Sequence, residues 1–214
     1  MEKYLTACKT KCKSQFCPDC SLAHCVSWRE KLRPALSHWD SVLMLTLTVD
    51  PAKFESPEAA LRHVGEKRKI SELIRALVRK GLLKNREFTC TLEFHKPEKG
   101  GWPHWHILVE SKFIDKHKLQ NCWGLGHVWL SKHDFKSVDH AINYATKYIV
   151  KTNDDKANDE FIFPEWAMDY KGNLRRFSTS RGLCKTRKFK KRTSSEGEKK
   201  RERKTRTGRE KIKL

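Results

Sequence analysis

The amino-acid sequence predicts an α+β fold in which an antiparallel sheet is flanked by helices. Short apolar runs with strand character alternate along the chain with segments of helical periodicity. A Gly-Gly turn at residues 100–101 joins two strand segments as a hairpin, which makes that pair antiparallel. At 214 residues the chain is long enough for one domain with a sizeable core and terminal appendages. We expect a Cys-rich zinc-binding segment with a short helix at 1–36, the sheet domain at 37–184 and a disordered basic tail at 185–214.

Strand signals recur through the middle of the chain. Residues 41–49 are apolar with threonines alternating at their end, and residues 87–95 and 104–109 flank the Gly-Gly turn. A further short strand is predicted at 127–130. Residues 175–182 form either a strand or a turn that presents arginines to phosphates.

Helical periodicity and capping residues lie between and around these strands. The best-marked helix starts at its capping residue Ser56, with Pro57 in the first helical position. It is expected to end near Gly81, and Gly65 is a candidate break. The other predicted helices span residues 26–36, 115–123 and 134–151.

The charge of the chain indicates a polyanionic partner. The formal net charge is +20, and residues 185–214 carry 15 Lys or Arg against 4 Glu, which places +11 of it in the tail. Such a charge favours nucleic acid before membrane. Apolar residues nearly vanish from the tail, so we expect it to be disordered and to add salt-sensitive affinity for DNA or RNA.

The cysteines indicate metal ligands rather than disulfides. No apolar run of about 18 residues is present, and no apolar signal segment follows Met1, so neither a membrane span nor a secretory signal is predicted. We therefore expect an intracellular, cytoplasmic protein. In that compartment eight cysteines are more often thiols or metal ligands.

Five of the eight cysteines lie within residues 8–25 and predict a structural zinc site. A C-P-D-C turn at 17–20 supplies two soft ligands from one knuckle. The other two ligands are left open: Cys12 with Cys25, or Cys8 with Cys12, and His24 is a possible substitute. The five candidates, of which four would bind zinc, are Cys8, Cys12, Cys17, Cys20 and Cys25. Other readings of the segment are an arm with free thiols or a redox role.

Two histidines in the predicted hairpin form half of a second metal site. His104 and His106 alternate with Trp105, so both imidazoles should project from one face of their strand. The hairpin places Glu93 or His95 across from them, about 5 Å away. Of these we favour Glu93, because a hard divalent ion prefers a carboxylate, and the complete site suits Mg²⁺ or Mn²⁺. A His pair that holds no ligand, with Glu93 as a surface charge, is the alternative.

The helix predicted at 134–151 carries two tyrosines and two lysines on one stripe. Tyr144, Lys147, Tyr148 and Lys151 stand at relative positions 0, 3, 4 and 7 of a repeated Y-x-x-K pattern. Tyrosine stripes at this spacing are often core or interface. Beside a metal site, however, a tyrosine can attack a phosphodiester, and a lysine one turn away can help to form the phenolate. The two tyrosines could then alternate as nucleophiles.

These motifs resemble those of the HUH endonuclease superfamily, specifically the rolling-circle replication initiators. The P-H-W-H-I-L sequence at 103–108 is similar to the family's His-hydrophobic-His motif, and L-E-F-H at 92–95 stands where Glu-Pro-His is common. The L-T-L-T sequence at 45–48 is similar to the first motif of the family. Residues 144–151 resemble the double-tyrosine motif of phage initiators. Phe94 stands in place of the expected proline.

The resemblance implies a five-stranded antiparallel sheet flanked by helices and a Mg²⁺ or Mn²⁺ ion. It also implies nicking of single-stranded origin DNA by residues 37–184, which leaves a 5′-phosphotyrosine. Tyr148 matches the single tyrosine of one-tyrosine members, and Tyr144 would be the second nucleophile. No helicase-like segment follows, so a separate helicase is expected, with a phage or plasmid in a bacterial or archaeal cell as the context. The alternatives are an HUH transposase or relaxase, and a non-catalytic zinc-knuckle nucleic-acid-binding protein.

Overall fold

The computed structural model describes residues 18–131, 135–150, 164–168 and 175–184. Within them the chain forms helices and strands in mixed order. The helices are α1 (Pro18–Leu36), α2 (Pro57–Glu66), α3 (Lys69–Arg79), α4 (Lys116–Trp123), α5 (Val138–Val150) and α6 (Glu165–Met168). The strands are β1 (Val42–Thr48), β2 (Phe88–Phe94), β3 (Pro103–Glu110), β4 (Val128–Leu130) and β5 (Phe177–Thr179).

The five strands form one sheet in the order β4-β1-β3-β2-β5, and each neighbouring pair is antiparallel. The predicted α+β fold with a five-stranded antiparallel sheet is therefore confirmed. The Cys-rich residues up to 17 and the tail from 185 lie outside the described residues, so the zinc knuckle and the disordered tail stay predictions.

Side-chain alternation gives the sheet two different faces. One face, the core face, carries Leu45, Leu47, Trp105 and Ile107 and packs against α2, α3 and α4. The other face, which we call the site face, carries Thr46, Thr91, Glu93, His104 and His106, with Met44 and Leu108 nearby. At Met44 and Leu108 the site face packs against α1 and α5.

The β2–β3 hairpin closes as the Gly-Gly turn predicts. Gly100 and Gly101 have φ values of +80° and +62°, which side-chain-bearing residues rarely adopt. A Cβ atom at Gly100 would lie 2.8 Å from the indole nitrogen of Trp102, so bulk is excluded there as well. His95 N–H donates to the Trp102 carbonyl at 2.9 Å and extends the pairing beyond β2. The turn thus sets the register that builds the site.

The predicted helix after β1 is two helices. Ser56 caps α2 as expected, because its hydroxyl accepts from Ala59 N–H at 3.1 Å. The break falls at Lys67 and Arg68, just beyond Gly65, and Arg68 takes a left-handed φ of +49°. This kink lets both helices turn apolar stripes toward the core face.

The predicted start of the first helix at residue 26 is wrong, because α1 begins at Pro18 and continues through Pro34. Proline suits the first helical position, and Pro34 lies close enough to the end to be accommodated. Cys25, Leu32 and Leu36, spaced by seven and four residues, are fully buried in the cluster that contains α5. Packing on α5 therefore extends the helix. Among the described helices, none has the length and apolar character needed to cross a membrane.

Candidate metal centre and tyrosine helix

The β2–β3 register brings one carboxylate and two imidazoles together. Glu93 pairs with His104, and Thr91 pairs with His106. Since residues directly opposite in an antiparallel pair share a face, all four side chains belong to the site face. Glu93, His104 and His106 form the group that could hold a metal ion in the part of the chain that the structure describes, and we call it the triad.

The triad is compact and shielded from water. Glu93 Oε2 lies 2.9 Å from His106 Nε2 and 3.4 Å from His104 Nε2. The three side chains are only 10–12% exposed. One ligand atom from each residue lies within 4.8 Å of the other two. Two imidazole nitrogens and one carboxylate oxygen thus converge on a small space.

The triad fits a divalent ion in donor type and in spacing. A ligand distance of about 2.1 Å in octahedral geometry places adjacent ligand atoms about 3 Å apart. The two separations around Glu93 Oε2 are close to that value. Two imidazoles and one carboxylate also leave coordination positions for water or substrate oxygens. The residues present therefore suit Mg²⁺ or Mn²⁺, the ions that the sequence predicts.

Thr46 orients one of the two imidazoles. Its Oγ1 lies 3.1 Å from His106 Nδ1, on the opposite side of the ring from Glu93. With Nε2 as the metal ligand, Nδ1 carries the proton and donates it to the Thr46 hydroxyl. His104 Nδ1 is also buried, and among the described residues it has no hydrogen-bond partner. The two ligands are thus held unequally.

His95, the other candidate ligand, lies beside the triad. Its ring stacks on His104 with centroids 4.5 Å apart and planes 26° from parallel. Burial lowers the pKa of His95, and the neighbouring His104 and Lys99 act in the same direction. The ring is therefore neutral at pH 7 and extends the wall of the site, while Glu93 is the side chain placed with both histidines.

Helix α5 crosses the site face next to the triad. The Ser137 hydroxyl accepts from His140 N–H, as the predicted cap requires. The Thr91 hydroxyl donates to the Ala145 carbonyl at 3.4 Å, and Thr91 is the direct cross-strand partner of His106. The second half of α5 therefore lies against the strands that carry the triad. Tyr148 follows Ala145 by three residues, about 4.5 Å farther along the helix axis.

Two of the four residues of the predicted tyrosine stripe are in contact. The Lys147 ammonium lies 3.8 Å from the centroid of the Tyr144 ring, a cation–π contact. Phe135 packs edge-on against the same ring, with centroids 5.7 Å apart. The side chain of Tyr148 and the whole of Lys151 lie outside the described residues.

The family model for replication-associated proteins of the ORF2 class matches residues 42–153, a little over half of the chain. The chain belongs to this family. The matched range begins with β1 and contains the triad and all of α5, so the predicted kinship with rolling-circle replication initiators is confirmed. Comparisons with curated proteins and with solved structures give no match.

One neighbour of the triad in this replication-associated protein was not expected from its sequence. Arg176 is fully buried, and its carbonyl accepts from Leu92 N–H at 2.7 Å. Burial lowers the pKa of its guanidinium to about 10, and the charge of Glu93 opposes that decrease. The prediction that residues 175–182 present arginines to phosphates is wrong for Arg176, whereas Arg175 and Arg181 are exposed. Only the pairing of β5 with β2 could have indicated this burial.

The helix that follows the Cys-rich segment supports the tyrosine helix. Cys25 is fully buried, and its Sγ donates to the Thr146 carbonyl at 3.4 Å. Arg29 Nε donates to the Thr146 hydroxyl at 2.8 Å. Of the other predicted zinc ligands, Cys8, Cys12 and Cys17 lie outside the described residues, as does the side chain of Cys20.

Proposed function

We propose that this replication-associated protein is an initiator endonuclease of the HUH type that nicks single-stranded origin DNA. The observation that carries the proposal is the convergence of Glu93, His104 and His106 on the sheet face that α5 crosses. Family membership supplies the replication context. The triad alone would suit many metal proteins, so the tyrosine helix beside it is what directs the proposal to phosphodiester chemistry.

The triad would hold Mg²⁺ or Mn²⁺. A bound ion would polarise a phosphodiester oxygen and neutralise charge that develops in the transition state. The protein contributes the preorganisation: Thr46 fixes the His106 ring, the stacked His95 restricts His104, and low exposure keeps bulk water away.

The bond-making step assigned to the protein is attack by a tyrosine on phosphorus. The phenol oxygen forms a bond to the phosphorus, the bond from phosphorus to the 3′ oxygen breaks, and the phenolic proton ends on that oxygen as a 3′-hydroxyl. The 5′ end is then held as a phosphotyrosine ester. Because the ester conserves the bond energy, a free 3′-hydroxyl can reverse the reaction and rejoin the ends.

Tyr148 is the proposed first nucleophile, and Tyr144 is the second. Tyr148 lies one turn beyond Ala145, where α5 meets the cross-strand partner of His106. The ring of Tyr144 is held by Phe135 and Lys147. In this scheme Lys147 serves Tyr144 and Lys151 serves Tyr148, each by stabilising a phenolate.

The zinc proposal becomes narrower because of Cys25. A thiol that is fully buried between α1 and α5 and donates to a helix carbonyl is committed to packing. This favours Cys8, Cys12, Cys17 and Cys20 as the four ligands of a structural zinc ion. The remaining parts of the proposal are a separate helicase and action in the cytoplasm of a bacterial or archaeal host of a phage or plasmid.

Covalent capture tests the proposed chemistry. Incubation with Mn²⁺ and single-stranded DNA spanning a candidate origin should yield a protein–DNA adduct that survives a denaturing gel. Tyr148→Phe should abolish or strongly reduce the adduct, while Tyr170→Phe, outside the motif, should leave it unchanged. An undiminished adduct in the Tyr144→Phe/Tyr148→Phe double variant would refute the tyrosine mechanism, and chelation by EDTA should prevent adduct formation.

A further inference from the structure

An exposed tryptophan stands on the edge strand of the sheet. Trp129 in β4 is 49% exposed, although most large apolar side chains of the described sheet are buried. The ring of His127, two residues earlier and also exposed, lies beside it with centroids 5.9 Å apart. The two rings form a small aromatic surface on β4, which we call the edge platform.

The edge platform belongs to the site face. Val128 is buried in the core-face cluster, so alternation turns His127 and Trp129 to the opposite side. Trp129 pairs with Thr46, which bonds to His106. Two strand spacings, about 10 Å, therefore separate the Trp129 and His106 backbones. The platform and the triad share one open surface.

The stability of the fold does not account for this arrangement. Edge strands in soluble proteins are usually protected by charged residues, because an apolar edge invites unwanted pairing. A single exposed apolar residue is ordinary. An indole and an imidazole side by side, on the face of a metal triad and in a chain of net charge +20, instead suit a ligand that is both anionic and aromatic.

We propose that the edge platform stacks bases of the single strand whose backbone passes the triad. Every base has a flat aromatic surface, so stacking on Trp129 would hold nucleotides next to the cut without reading their sequence. The inference rests on the proposed function, in that the strand bound here is the strand to be nicked. It adds the route by which that strand enters, from the β4 edge across β1 to β3.

Binding to single-stranded DNA by the full chain tests the platform. The probe is a fluorescently labelled oligonucleotide of mixed sequence, about 30 nucleotides long, followed by anisotropy over a series of salt concentrations. Trp129→Ala should weaken binding roughly tenfold, the loss typical of one stacked base, and Trp129→Phe should recover most of it. The matched control is Phe113→Ala, which removes a 75% exposed aromatic ring beyond the far end of β3 and should change nothing.

The salt series separates stacking from the basic tail. Phosphate contacts set the slope of log affinity against log salt, so Trp129→Ala should lower the line without changing its slope. A Trp129→Ala variant that melts like the wild type and binds with unchanged affinity would overturn the platform. Loss of self-association in light scattering with no effect on DNA binding would also overturn it, since the platform would then serve a second copy of the chain.

The covalent-capture assay keeps the two proposals separable. If the wild type forms no adduct but Trp129→Ala still weakens binding, the platform stands as a DNA-binding surface and the nicking proposal fails. If the adduct forms normally and Trp129→Ala binds DNA like the wild type, the nicking proposal stands and the platform fails.

Discussion

Replacing Thr46 with valine should weaken metal binding without touching a metal ligand. Valine has nearly the same shape as threonine, but it cannot accept the Nδ1 proton of His106 that the Thr46 hydroxyl receives at 3.1 Å. The side chain of His106 is only 11% exposed, so its N–H would be left largely without a partner. The imidazole would then lose both its fixed tautomer and its orientation.

The expected loss follows from the cost of an unsatisfied buried donor. That cost is about 1–3 kcal/mol, which corresponds to a dissociation constant for Mn²⁺ roughly 5-fold to 150-fold larger. Measured losses for groups that orient metal ligands, about 10-fold to 100-fold, fall in the same range. Isothermal titration of the full chain with Mn²⁺ gives the constant directly.

Thr48→Val is the matched control on the same strand and face. Thr48 stands directly opposite His104, but its hydroxyl bonds to the backbone of His127 and not to a ligand. Thr48→Val should therefore lower the melting temperature while Mn²⁺ binding stays near the wild-type value. Equal Mn²⁺ affinities for Thr46→Val and Thr48→Val would refute the orienting role, and no Mn²⁺ binding by the wild type would refute the metal centre.

Three further predictions concern thiols and caps. Cys25→Ala should cost about 1–2 kcal/mol of unfolding free energy, more than Cys122→Ala, but keep stoichiometric zinc; loss of zinc on metal analysis would restore Cys25 as a ligand. Burial raises the pKa of Cys90 to about 12, so iodoacetamide at pH 8 should modify it only after unfolding, as peptide mapping can show. Ser56→Ala removes the cap of α2 and should lower stability by about 1 kcal/mol in urea, while Ser56→Asp should retain it.

The central hairpin could be predicted from sequence because local rules determine it. Alternation around Trp105 fixes which residues share a face with His104, and two glycines with positive φ fix where the chain turns. With the turn known, Glu93 falls opposite His104 by counting residues. Helix caps at Ser56 and Ser137 follow from equally local chemistry.

Features that depend on contacts between distant parts of the chain escaped prediction. Arg176 is buried because β5 pairs with β2, and nothing near Arg176 in the sequence signals that pairing. Cysteine is both a soft metal ligand and a small apolar side chain, so spacing alone could not distinguish Cys25 from its neighbours. The extension of α1 to Pro18 likewise depends on the surface of α5 against which it packs.

Thr146 explains how a segment before the sheet can influence the tyrosine helix. Its buried hydroxyl donates to the Ile142 carbonyl at 2.7 Å and accepts from Arg29, while its own carbonyl accepts from Cys25. The preceding residue, Ala145, is bound to Thr91 on the sheet. The second half of α5 is therefore held from one side by β2 and from the other by α1. Since α1 begins directly after Cys17, a zinc ion bound by Cys17 and Cys20 would fix the first turn of α1. On the zinc proposal, the ion would stabilise the support of the tyrosine helix while taking no part in the reaction itself.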